Sequence, residues 1–511
     1  MKVLLTASPR FDFQMESYKT DIDFYKINLR PSLALYQLAS VLQPNHQVEI
    51  LDPALSDFSL PGGGHLHMLE GEMLKELRFA NLEKRIAGMD AICISTTSFD
   101  WFLAKSMIGR IKEQDNDLPI IVGGIHSTIA DRYLLESSDV DFAARGEGEK
   151  TLPELLASIE DGGDLREIDG LSYKIDGAVR RNRDRLLLTA EELEKMPFPA
   201  LELMPSGVYG KLTAETARGC HYKCAFCSIS FSRSWRGISP ERAIKRIEHA
   251  ASFSGKLYGQ EKSITLVDDN FTADPKRSEK ILKGLREVDL GEMSLAFEGR
   301  ANEILGSNIL PLCKDLPLDY LFFGVECGYE RGLKMIQKGI HVDTIIKCAE
   351  QAKGSGLLLH YGFIAGLPWE TKEDCLKTVA FANRLVSEYD GFAFISWFHM
   401  FPGSRLWDER KMFGIDDGLE LFDGISHRTK EYRPKISPNL SGDDLREIEH
   451  EIDKCNLMRV LSHNDSESCA DEIAHSAYTK EGGYCLSRTK GYLQRFELPD
   501  KETSLIYIDP T

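Results

Sequence analysis

The sequence contains no long apolar run, no internal repeat and no low-complexity tract. None of its apolar runs reaches the roughly 18 residues that a membrane-spanning helix needs. The apolar start of the chain is also too brief to be a signal peptide and is better explained as a first buried strand. These absences predict a cytoplasmic protein without a membrane partner.

Basic residues are also in the minority. The chain has 62 Lys and Arg residues against 80 Asp and Glu residues, which gives a net charge of −18. A protein that binds nucleic acid by neutralising phosphates needs a basic surface. We therefore expect no nucleic-acid partner.

The cysteines do not form a pattern of pairs. Their number, 11, is odd in a chain of 511 residues, which argues against the disulfide framework of a secreted protein. Cys455, Cys469 and Cys485 are separated by 13 and 15 residues and include no Cys-x2-Cys pair, so we expect no second metal cluster near the C-terminus.

The first part of the chain alternates short apolar runs with amphipathic segments, a pattern typical of a parallel α/β sheet. The predicted strands are 2–6, 47–51, 91–95, 120–122 and 142–144, and the predicted helices include 32–42, 101–114 and 151–158. A loop of small residues follows each strand. Ligands of such sheets bind at the carboxyl ends of the strands, so these loops form a candidate cradle.

Four regions follow from this pattern along the chain. Residues 1–155 form the Rossmann-like domain, 156–205 a linker with a hairpin at 171–175 and 178–181, 206–420 a second βα series, and 421–511 a mostly helical region. The second series has six predicted strands, at 212–217, 263–267, 294–297, 320–325, 358–364 and 391–397. Six βα units predict a partial barrel, with the functional groups at the carboxyl ends of its strands. The last region is predicted to contain a helix at 442–462 and a strand at 504–508.

Three cysteines follow the first barrel strand, in the segment Arg218-Gly219-Cys220-His221-Tyr222-Lys223-Cys224-Ala225-Phe226-Cys227. This spacing lets one tight loop place three thiolates on one face, enough for three irons of a [4Fe–4S] cluster. The fourth iron is then open to a substrate or cofactor. Zinc is the competing interpretation, but a structural zinc site needs four ligands, and His221 lies inside the loop.

This Cys-x3-Cys-x2-Cys segment resembles the motif of the radical S-adenosylmethionine superfamily. The resemblance implies that the open iron chelates S-adenosylmethionine and that its reductive cleavage yields a 5′-deoxyadenosyl radical. It also implies an external electron donor of the flavodoxin or ferredoxin type. Later strand ends resemble the same superfamily, and they imply contacts to S-adenosylmethionine from Phe226, Asp268, Asp269, Asn270, Glu298, Arg300, Glu326, Ile364 and Gly366.

Two of these assignments leave alternatives open. Asp269 and Asn270 could instead cap a helix. Arg300 could pair with the methionyl carboxylate or bridge to Glu326 as part of the scaffold.

The first domain resembles the cobalamin-binding domain that precedes the barrel in a large subset of this superfamily. The resemblance lies in Pro31-Ser32-Leu33-Ala34-Leu35, Asp52-Pro53, Gly123-Gly124-Ile125-His126 and the segment from Arg145 to Pro153. It implies a corrin over the strand ends, with contacts from Ser8, Thr96, Thr97, Gly123, Gly124, His126, Gly146 and Glu147. The Asp-x-His-x-x-Gly signature of other cobalamin proteins is absent, which predicts a cobalt without a histidine ligand below it. His126 is expected to hydrogen-bond to the ligand or the backbone, and His65 and His67 to be solvated.

The function implied is a cobalamin-dependent radical methyltransferase that methylates an unactivated carbon of a small molecule by way of methylcobalamin. Tyr209, Trp235, Trp397 and His399 are candidate substrate contacts, although each aromatic side chain could equally be part of the core. Ring contraction, cyclisation or oxidation without methyl transfer is the second hypothesis. A third is a radical mutase or lyase whose first domain is empty.

Overall fold

The structure is a computed structural model of the chain. It describes residues 1–8, 29–52, 58–59, 78–79, 82–229, 233–259, 262–353, 357, 359–389, 391–424, 426–428, 430–461, 484–489 and 492–497. Within these ranges, no helix is both long enough and apolar enough to cross a membrane.

The first domain contains a seven-stranded sheet. Its strands are β1 (Lys2–Ala7), β2 (Gln47–Leu51), β5 (Ala91–Ser95), β6 (Ile120–Gly123), β7 (Phe142–Ala144), β8 (Leu171–Ile175) and β9 (Ala178–Arg181); a separate short pair comprises β3 (Phe58–Ser59) and β4 (Arg78–Phe79). The order β2-β1-β5-β6-β7 is parallel and doubly wound, which confirms the predicted fold. In this topology the strand order reverses between β1 and β5, where ligands bind.

Helices cover both faces of this sheet. They are α1 (Leu33–Leu42), α2 (Leu82–Ile86), α3 (Trp101–Gln114), α4 (Ile125–Ser137) and α5 (Gly148–Asp161); a further short helix, α6 (Ala190–Lys195), follows the hairpin of β8 and β9. In α3, side chains from Trp101 to Ile111 are buried at spacings of three and four residues, because one face of the helix packs on the sheet. The predicted helix 101–114 is confirmed.

The segment predicted as a linker also contributes to this sheet. Its hairpin, β8 and β9, continues the sheet in antiparallel register, with Phe142 opposite Tyr173. The domain boundaries themselves stay predictions.

The second domain is a six-stranded parallel sheet. Its strands are β10 (Lys211–Ala214), β13 (Lys262–Leu266), β14 (Met293–Gly299), β15 (Leu318–Glu326), β16 (Leu359–Ala365) and β17 (Phe392–Trp397); the short antiparallel pair β11 (Ala217–Arg218) and β12 (Arg236–Gly237) follows β10. The strands pair in chain order from β10 to β17, as the predicted partial barrel requires.

The barrel helices are α7 (Pro240–Ala251), α8 (Pro275–Leu285), α9 (Ala301–Ile304), α10 (Ile309–Cys313), α11 (Glu330–Met335), α12 (Val342–Ala352) and α13 (Lys372–Tyr389). Both α7 and α8 begin with a proline preceded by a capping side chain. Ser239 accepts from the Arg242 N–H, and Asp274 accepts from the Arg277 N–H, so local sequence fixes where these helices start.

The C-terminal region contains α14 (Arg405–Asp408), α15 (Arg433–Ile436), α16 (Gly442–Leu461) and a hairpin of β18 (Tyr484–Thr489) and β19 (Tyr492–Glu497). Helix α16 packs on α13 and β17. The predicted strand 504–508 lies outside the described residues, as do Cys469, His65 and His67, and the Cys485 side chain is not described.

One contact fixes the C-terminal segment to the first domain. The Asp423 carboxylate accepts hydrogen bonds from Trp101 Nε1 at 2.9 Å, Lys105 Nζ at 2.7 Å and Tyr133 Oη at 2.6 Å. The segment that follows the barrel is therefore attached to the first domain.

The turn after β6 depends on a glycine. Gly124 has φ 90° and ψ −171°, a conformation that is essentially restricted to glycine. An added Cβ would lie 2.6 Å from the Thr96 carbonyl oxygen. We expect Gly124→Ala to destabilise the first domain by about 3 kcal/mol, since strain and a backbone clash add, and to lower the midpoint of urea unfolding followed by circular dichroism.

Gly162→Ala is the matched control. Gly162 also has a positive φ, 71°, but has open space around the position of a Cβ. Its substitution should cost only about 1 kcal/mol. Equal losses in the two variants would contradict the role given to the Thr96 contact.

Candidate active site

The cysteine loop is held at the mouth of the barrel from several sides. It begins and ends in the β11–β12 pair, where Arg218 lies opposite Arg236. The Gly219 N–H donates to Asp269 Oδ2 at 2.7 Å, and the Ala225 N–H donates to the Ile336 carbonyl at 2.8 Å. The first bond attaches the loop to the carboxyl end of β13, where the barrel topology predicts functional groups, and the second attaches it to the C-terminal end of α11.

The three predicted cysteine ligands lie in one loop, but the part of the chain that the structure describes contains no group of three His, Cys, Asp or Glu side chains arranged so that it could hold a metal ion, so their ligation of a cluster stays a prediction. Cys220, Cys224 and Cys227 are all free thiols, Cys224 buried and the other two half-buried. Desolvation raises the pKa of Cys220 and of Cys227, and the nearby Cys224 contributes further to both increases. Each thiolate would disfavour ionisation of the other two, and positive iron ions would offset that repulsion, so the chemistry of these three side chains fits an iron–sulfur cluster.

Arg300 faces this loop from the end of β14. Its guanidinium stacks on the Tyr222 ring with 3.6 Å to the centroid, and its Nη1 lies 3.7 Å from Cys224 Sγ. It also donates to the Lys338 carbonyl, whereas Arg300 Nε is buried without a partner among the described residues. No direct bridge from Arg300 to Glu326 is present among these contacts.

Lys338 makes the ion pair with Glu326 instead, and sequence reasoning missed it. Lys338 Nζ lies 2.6 Å from Glu326 Oε1 and 6.0 Å from the centroid of the Phe226 ring. Glu326 ends β15 at a bulge with φ 71°, an uncommon conformation for a residue other than glycine. Such strain at a strand end is typical of a binding site.

Glu298, on the neighbouring strand, is accessible to solvent within the barrel mouth. Desolvation raises the pKa of its carboxyl, and the charge of Glu326 raises it further. The mouth therefore presents two carboxylates, one lysine and one partly unsatisfied guanidinium, a set that fits the ammonium, hydroxyl and carboxylate groups of an amino-acid nucleoside.

The segment after β13 contains three predicted contacts of S-adenosylmethionine, and their side chains have different partners. The Asp268 carboxylate accepts from the Thr216 N–H and the Thr216 hydroxyl, both at 2.5 Å, so its predicted cofactor contact is not supported. Asn270 caps the turn that follows, and its amide donates to Glu303 at 3.0 Å, as the capping alternative required. Asp269 alone of the three lines the cavity described below.

At the fifth strand end, Gly366 has φ 82° and packs against the ring of Trp397. Its carbonyl accepts from Ser437 Oγ at 2.5 Å, and Arg433 lies 4.7 Å from the centroid of the Trp397 ring. The half-buried Ile364 precedes this turn. Trp397 thus lies next to Gly366, a predicted contact of S-adenosylmethionine.

A cavity of about 390 Å³ lies between the two domains. The first domain contributes Ser95, Gly123, Gly124, Gly146 and Glu147, and the barrel domain contributes Glu215, Arg218, Ile229, Val267 and Asp269. Gly146 has φ 72° with nothing near the position of a Cβ, and Val267 is 40% exposed despite being apolar. Bare backbone and an uncovered apolar side chain fit a flat, largely apolar ligand that approaches the strand ends closely.

The other predicted corrin contacts differ in position. Ser8 Oγ donates to Thr96 Oγ1 at 2.5 Å, so these buried hydroxyls link the ends of β1 and β5 at the reversal of strand order. Thr97 is exposed. His126 is fully buried, stacks on Trp101 and lies 3.0 Å from Ser98 Oγ, and burial lowers its pKa to about 3. It does not line the cavity, so its predicted ligand contact is not supported.

The four predicted substrate contacts lie in different parts of the structure. His399 packs against Phe99 of the first domain, with ring centroids 5.6 Å apart, at the junction of the domains. Tyr209 is fully buried and donates to Asp52 at 2.9 Å, which makes it part of the core between the domains. Trp235 packs on the Arg277 guanidinium. Only Trp397 and His399 lie at the carboxyl end of the last barrel strand.

A network of charged side chains joins the domains beside the cavity. We call it the interdomain ion network; it comprises Glu147, Glu149, Glu215, Arg218, Arg236 and Arg246. Sequence reasoning assigned a function to Glu147 alone. The position of Arg218, directly before Gly219 and Cys220, is the sequence feature from which a role for Arg218 could have been predicted.

A thiol triad at the mouth of a partial barrel, facing a doubly wound domain across a shared cavity, defines an enzyme with two cofactor sites. Comparison with known proteins agrees. Residues 215–382 match the radical SAM superfamily model, and residues 31–156 match the B12 binding domain model. An uncharacterized methyltransferase, PH0819 of Pyrococcus horikoshii, is 30% identical over 74% of this chain and 78% of its own length. The chain belongs to the radical S-adenosylmethionine superfamily, with a cobalamin-binding domain before the barrel, and its cofactors are a [4Fe–4S] cluster, S-adenosylmethionine and cobalamin.

More distant relatives share the architecture. The anaerobic magnesium-protoporphyrin IX monomethyl ester cyclase of Rubrivivax gelatinosus is 26% identical over 63% of this chain, which spans 58% of that protein. The cobalamin-dependent S-adenosylmethionine radical enzyme OxsB superposes with a TM-score of 0.58 at 21% identity, over 83% of this chain and 57% of OxsB. The methyltransferase TsrM of Kitasatospora setae superposes with a TM-score of 0.57 at 17% identity, over 80% and 74%. These two structures share the fold of this chain.

The buried Asp268 makes stability depend on pH. Burial raises the pKa of its carboxyl to about 6, above the value of about 3.9 for an exposed aspartate. Between these values the folded chain holds a proton that the unfolded chain has lost, so stability falls as pH rises through this window, by on the order of 3 kcal/mol. Asp268→Asn can keep both hydrogen bonds to Thr216 and has no carboxyl group that must lose a proton. The melting temperature of the variant relative to that of the wild type should therefore rise as the pH is raised from 4 to 7.

The measurement is a thermal melt of the apoprotein at several pH values. Asp139→Asn, at an exposed aspartate, is the control and should follow the wild type. A difference between Asp268→Asn and the wild type that stays constant from pH 4 to pH 7 would rule out this account.

Proposed function

We propose that this chain methylates an unactivated carbon of a small molecule, using both cofactors. The observation that carries the proposal is the shared cavity, because Gly124 and Gly146 of the first domain and Asp269 of the barrel line the same space. The name methyltransferase carried by the P. horikoshii relative and by TsrM supports the same reaction class.

When bound, the cluster and S-adenosylmethionine supply a carbon-centred radical, and cobalamin supplies a transferable methyl group. The chain contributes position and shielding. Cys220, Cys224 and Cys227 would hold the cluster, while Glu298 and the Glu326–Lys338 pair would bind polar groups of S-adenosylmethionine. The rings of Phe99, His399 and Phe401 pack against one another where the first domain meets the end of the last barrel strand, and they would help to shield the reacting groups from water.

Cyclisation or another rearrangement without methyl transfer is the second candidate. The R. gelatinosus relative is named a cyclase, and its sequence aligns with 63% of this chain at 26% identity. The two candidates use the same cofactors and differ in the fate of the substrate radical.

The products of S-adenosylmethionine distinguish them. Reconstituted full-length protein is incubated with methyl-deuterated S-adenosylmethionine, a chemical reductant and a small-molecule extract of the source cells. Methylation yields S-adenosylhomocysteine, 5′-deoxyadenosine and a deuterated methyl group on carbon in one extract component. Deoxyadenosine without S-adenosylhomocysteine would reject methyl transfer and support rearrangement.

The proposed electron donor is a small acidic protein of the flavodoxin or ferredoxin type. Lys223 in the cysteine loop and Arg331 and Lys334 on α11 are exposed and make no ion pair among the described residues. The cysteine loop and α11 are joined by the hydrogen bond from the Ala225 N–H to the carbonyl of Ile336, the residue that follows α11. In a chain with a net charge of −18, this local group of cations would attract an acidic donor toward the cluster loop.

Charge reversal tests this surface. The double variant Lys223→Glu/Lys334→Glu should raise the KM for flavodoxin about tenfold at low salt and less at high salt, because screening weakens the attraction. Turnover with dithionite should be unchanged. Lys174→Glu, on the first-domain hairpin, is the control and should leave the KM unaffected. An unchanged KM in the double variant would remove this surface as the docking site.

A further inference from the structure

Arg218 connects the cysteine loop to the first domain. It ends β11, two residues before Cys220, and its side chain is 15% exposed. Its Nη2 lies 2.7 Å from Glu149, its Nη1 3.4 Å from Glu147, and its Nε 2.8 Å from Glu215. One planar guanidinium therefore contacts two carboxylates of the first domain and one of the barrel.

The first-domain partners belong to the loop that lines the cavity. Glu147 precedes α5 and Glu149 lies in its first turn, and both border the cavity beside Gly146. On the other strand of the β11–β12 pair, Arg236 also binds Glu147, at 2.8 Å, and donates to the Leu188 carbonyl. Both strands that carry the cysteine loop are thus tied to the same loop of the first domain.

The balance of charge restricts how these groups can move. The interdomain ion network contains three carboxylates and three guanidiniums, whose side chains are 4–20% exposed. Glu147 has a second partner in Arg236, but Arg218 is the one ion-pair partner of Glu149 among the described residues, so separating those two would leave the Glu149 carboxylate buried without a counter-charge, which is strongly unfavourable. This pair therefore resists any displacement of Glu149 relative to Arg218, which lies two residues before Cys220.

Simple attachment of the domains does not require this arrangement. The Asp423 contact with Trp101, Lys105 and Tyr133 joins the domains without touching either the cysteine loop or the 146–149 loop. The two sets of contacts can therefore be separated by substitution.

We propose that Arg218 is a positioning residue that couples occupancy of the corrin cavity to the geometry of the cluster loop. The inference rests on the two cofactors of the proposed function, but not on methyl transfer, and it holds for rearrangement as well. Coupling of this kind is reciprocal, so cluster assembly should in turn strengthen cobalamin binding.

The test uses the full chain without substrate. The electron paramagnetic resonance spectrum of the reduced cluster is recorded with and without hydroxocobalamin, and the Kd of hydroxocobalamin is measured with and without the cluster. We expect cobalamin to shift the cluster g-values in the wild type, and the cluster to tighten cobalamin binding about fivefold or more. In Arg218→Gln the shift should vanish and the two Kd values should agree within about twofold, while Arg218→Lys should restore part of both effects.

Two further variants keep the result interpretable. Glu149→Gln breaks the ion pair with Arg218 from the first-domain side and should also abolish the shift in g-values. It serves as the test if Arg218→Gln fails to assemble a cluster. The iron content of each variant shows whether a cluster has assembled. Asp423→Asn weakens the docking of the domains alone and should behave as the wild type. A wild-type spectrum insensitive to cobalamin, an Arg218→Gln or Glu149→Gln variant that retains the shift, or an equal loss in Asp423→Asn would overturn the proposal. Because no product is measured, failure here is distinct from failure of the methylation proposal.

Discussion

The two parallel sheets of this chain share one site only because their carboxyl ends face each other, and the interdomain ion network helps to hold them so. Three carboxylates and three guanidiniums, each largely buried, bind across the boundary at Arg218 and Arg236. Buried ion pairs contribute little net stability, because desolvation offsets most of the attraction. They do restrict geometry, since separating Glu149 from Arg218 would leave the Glu149 carboxylate without its ion-pair partner. The network is therefore better understood as setting the relative position of two loops than as stabilising the fold.

The residues near these two loops also suit a site between strand ends that face each other. Gly124 and Gly146 leave the strand ends of the first domain bare, so a flat ligand can approach the backbone. Opposite them, Asp269 binds the Gly219 N–H and thereby keeps the cysteine loop against the barrel. A radical generated at that loop is useful only if its target lies nearby and water is excluded. Apposed strand ends would provide the short distance, and the packed rings around Phe99 and His399 would contribute the shielding.

Most elements were predictable because their signals are local. The strand Ala91–Ser95 is a continuous apolar run, as expected for a parallel strand buried on both faces, and its predicted bounds agree with the structure, whereas the strand predicted at 212–217 ends at Ala214. The cysteine spacing likewise lies within one loop. The direction in which a side chain points, by contrast, does not follow from its neighbours in sequence. Asp268, Asp269 and Asn270 are adjacent in sequence, yet one binds Thr216, one lines the cavity and one caps a turn. His126 and Tyr209 have the chemistry of ligand contacts, but packing buries both away from the cavity.

The sequence by itself determined the class of this protein: two βα series, a triad of cysteines after the first barrel strand, and small-residue loops where a corrin would lie. Periodicity and spacing carry that information, because each depends on residues a few positions apart. Only the tertiary structure decided that Lys338 pairs with Glu326, that the 171–181 hairpin completes the first sheet, and that Arg218 reaches Glu147 and Glu149. These contacts join residues distant in sequence, or depend on how two domains dock, and no local pattern encodes which charged side chain meets which.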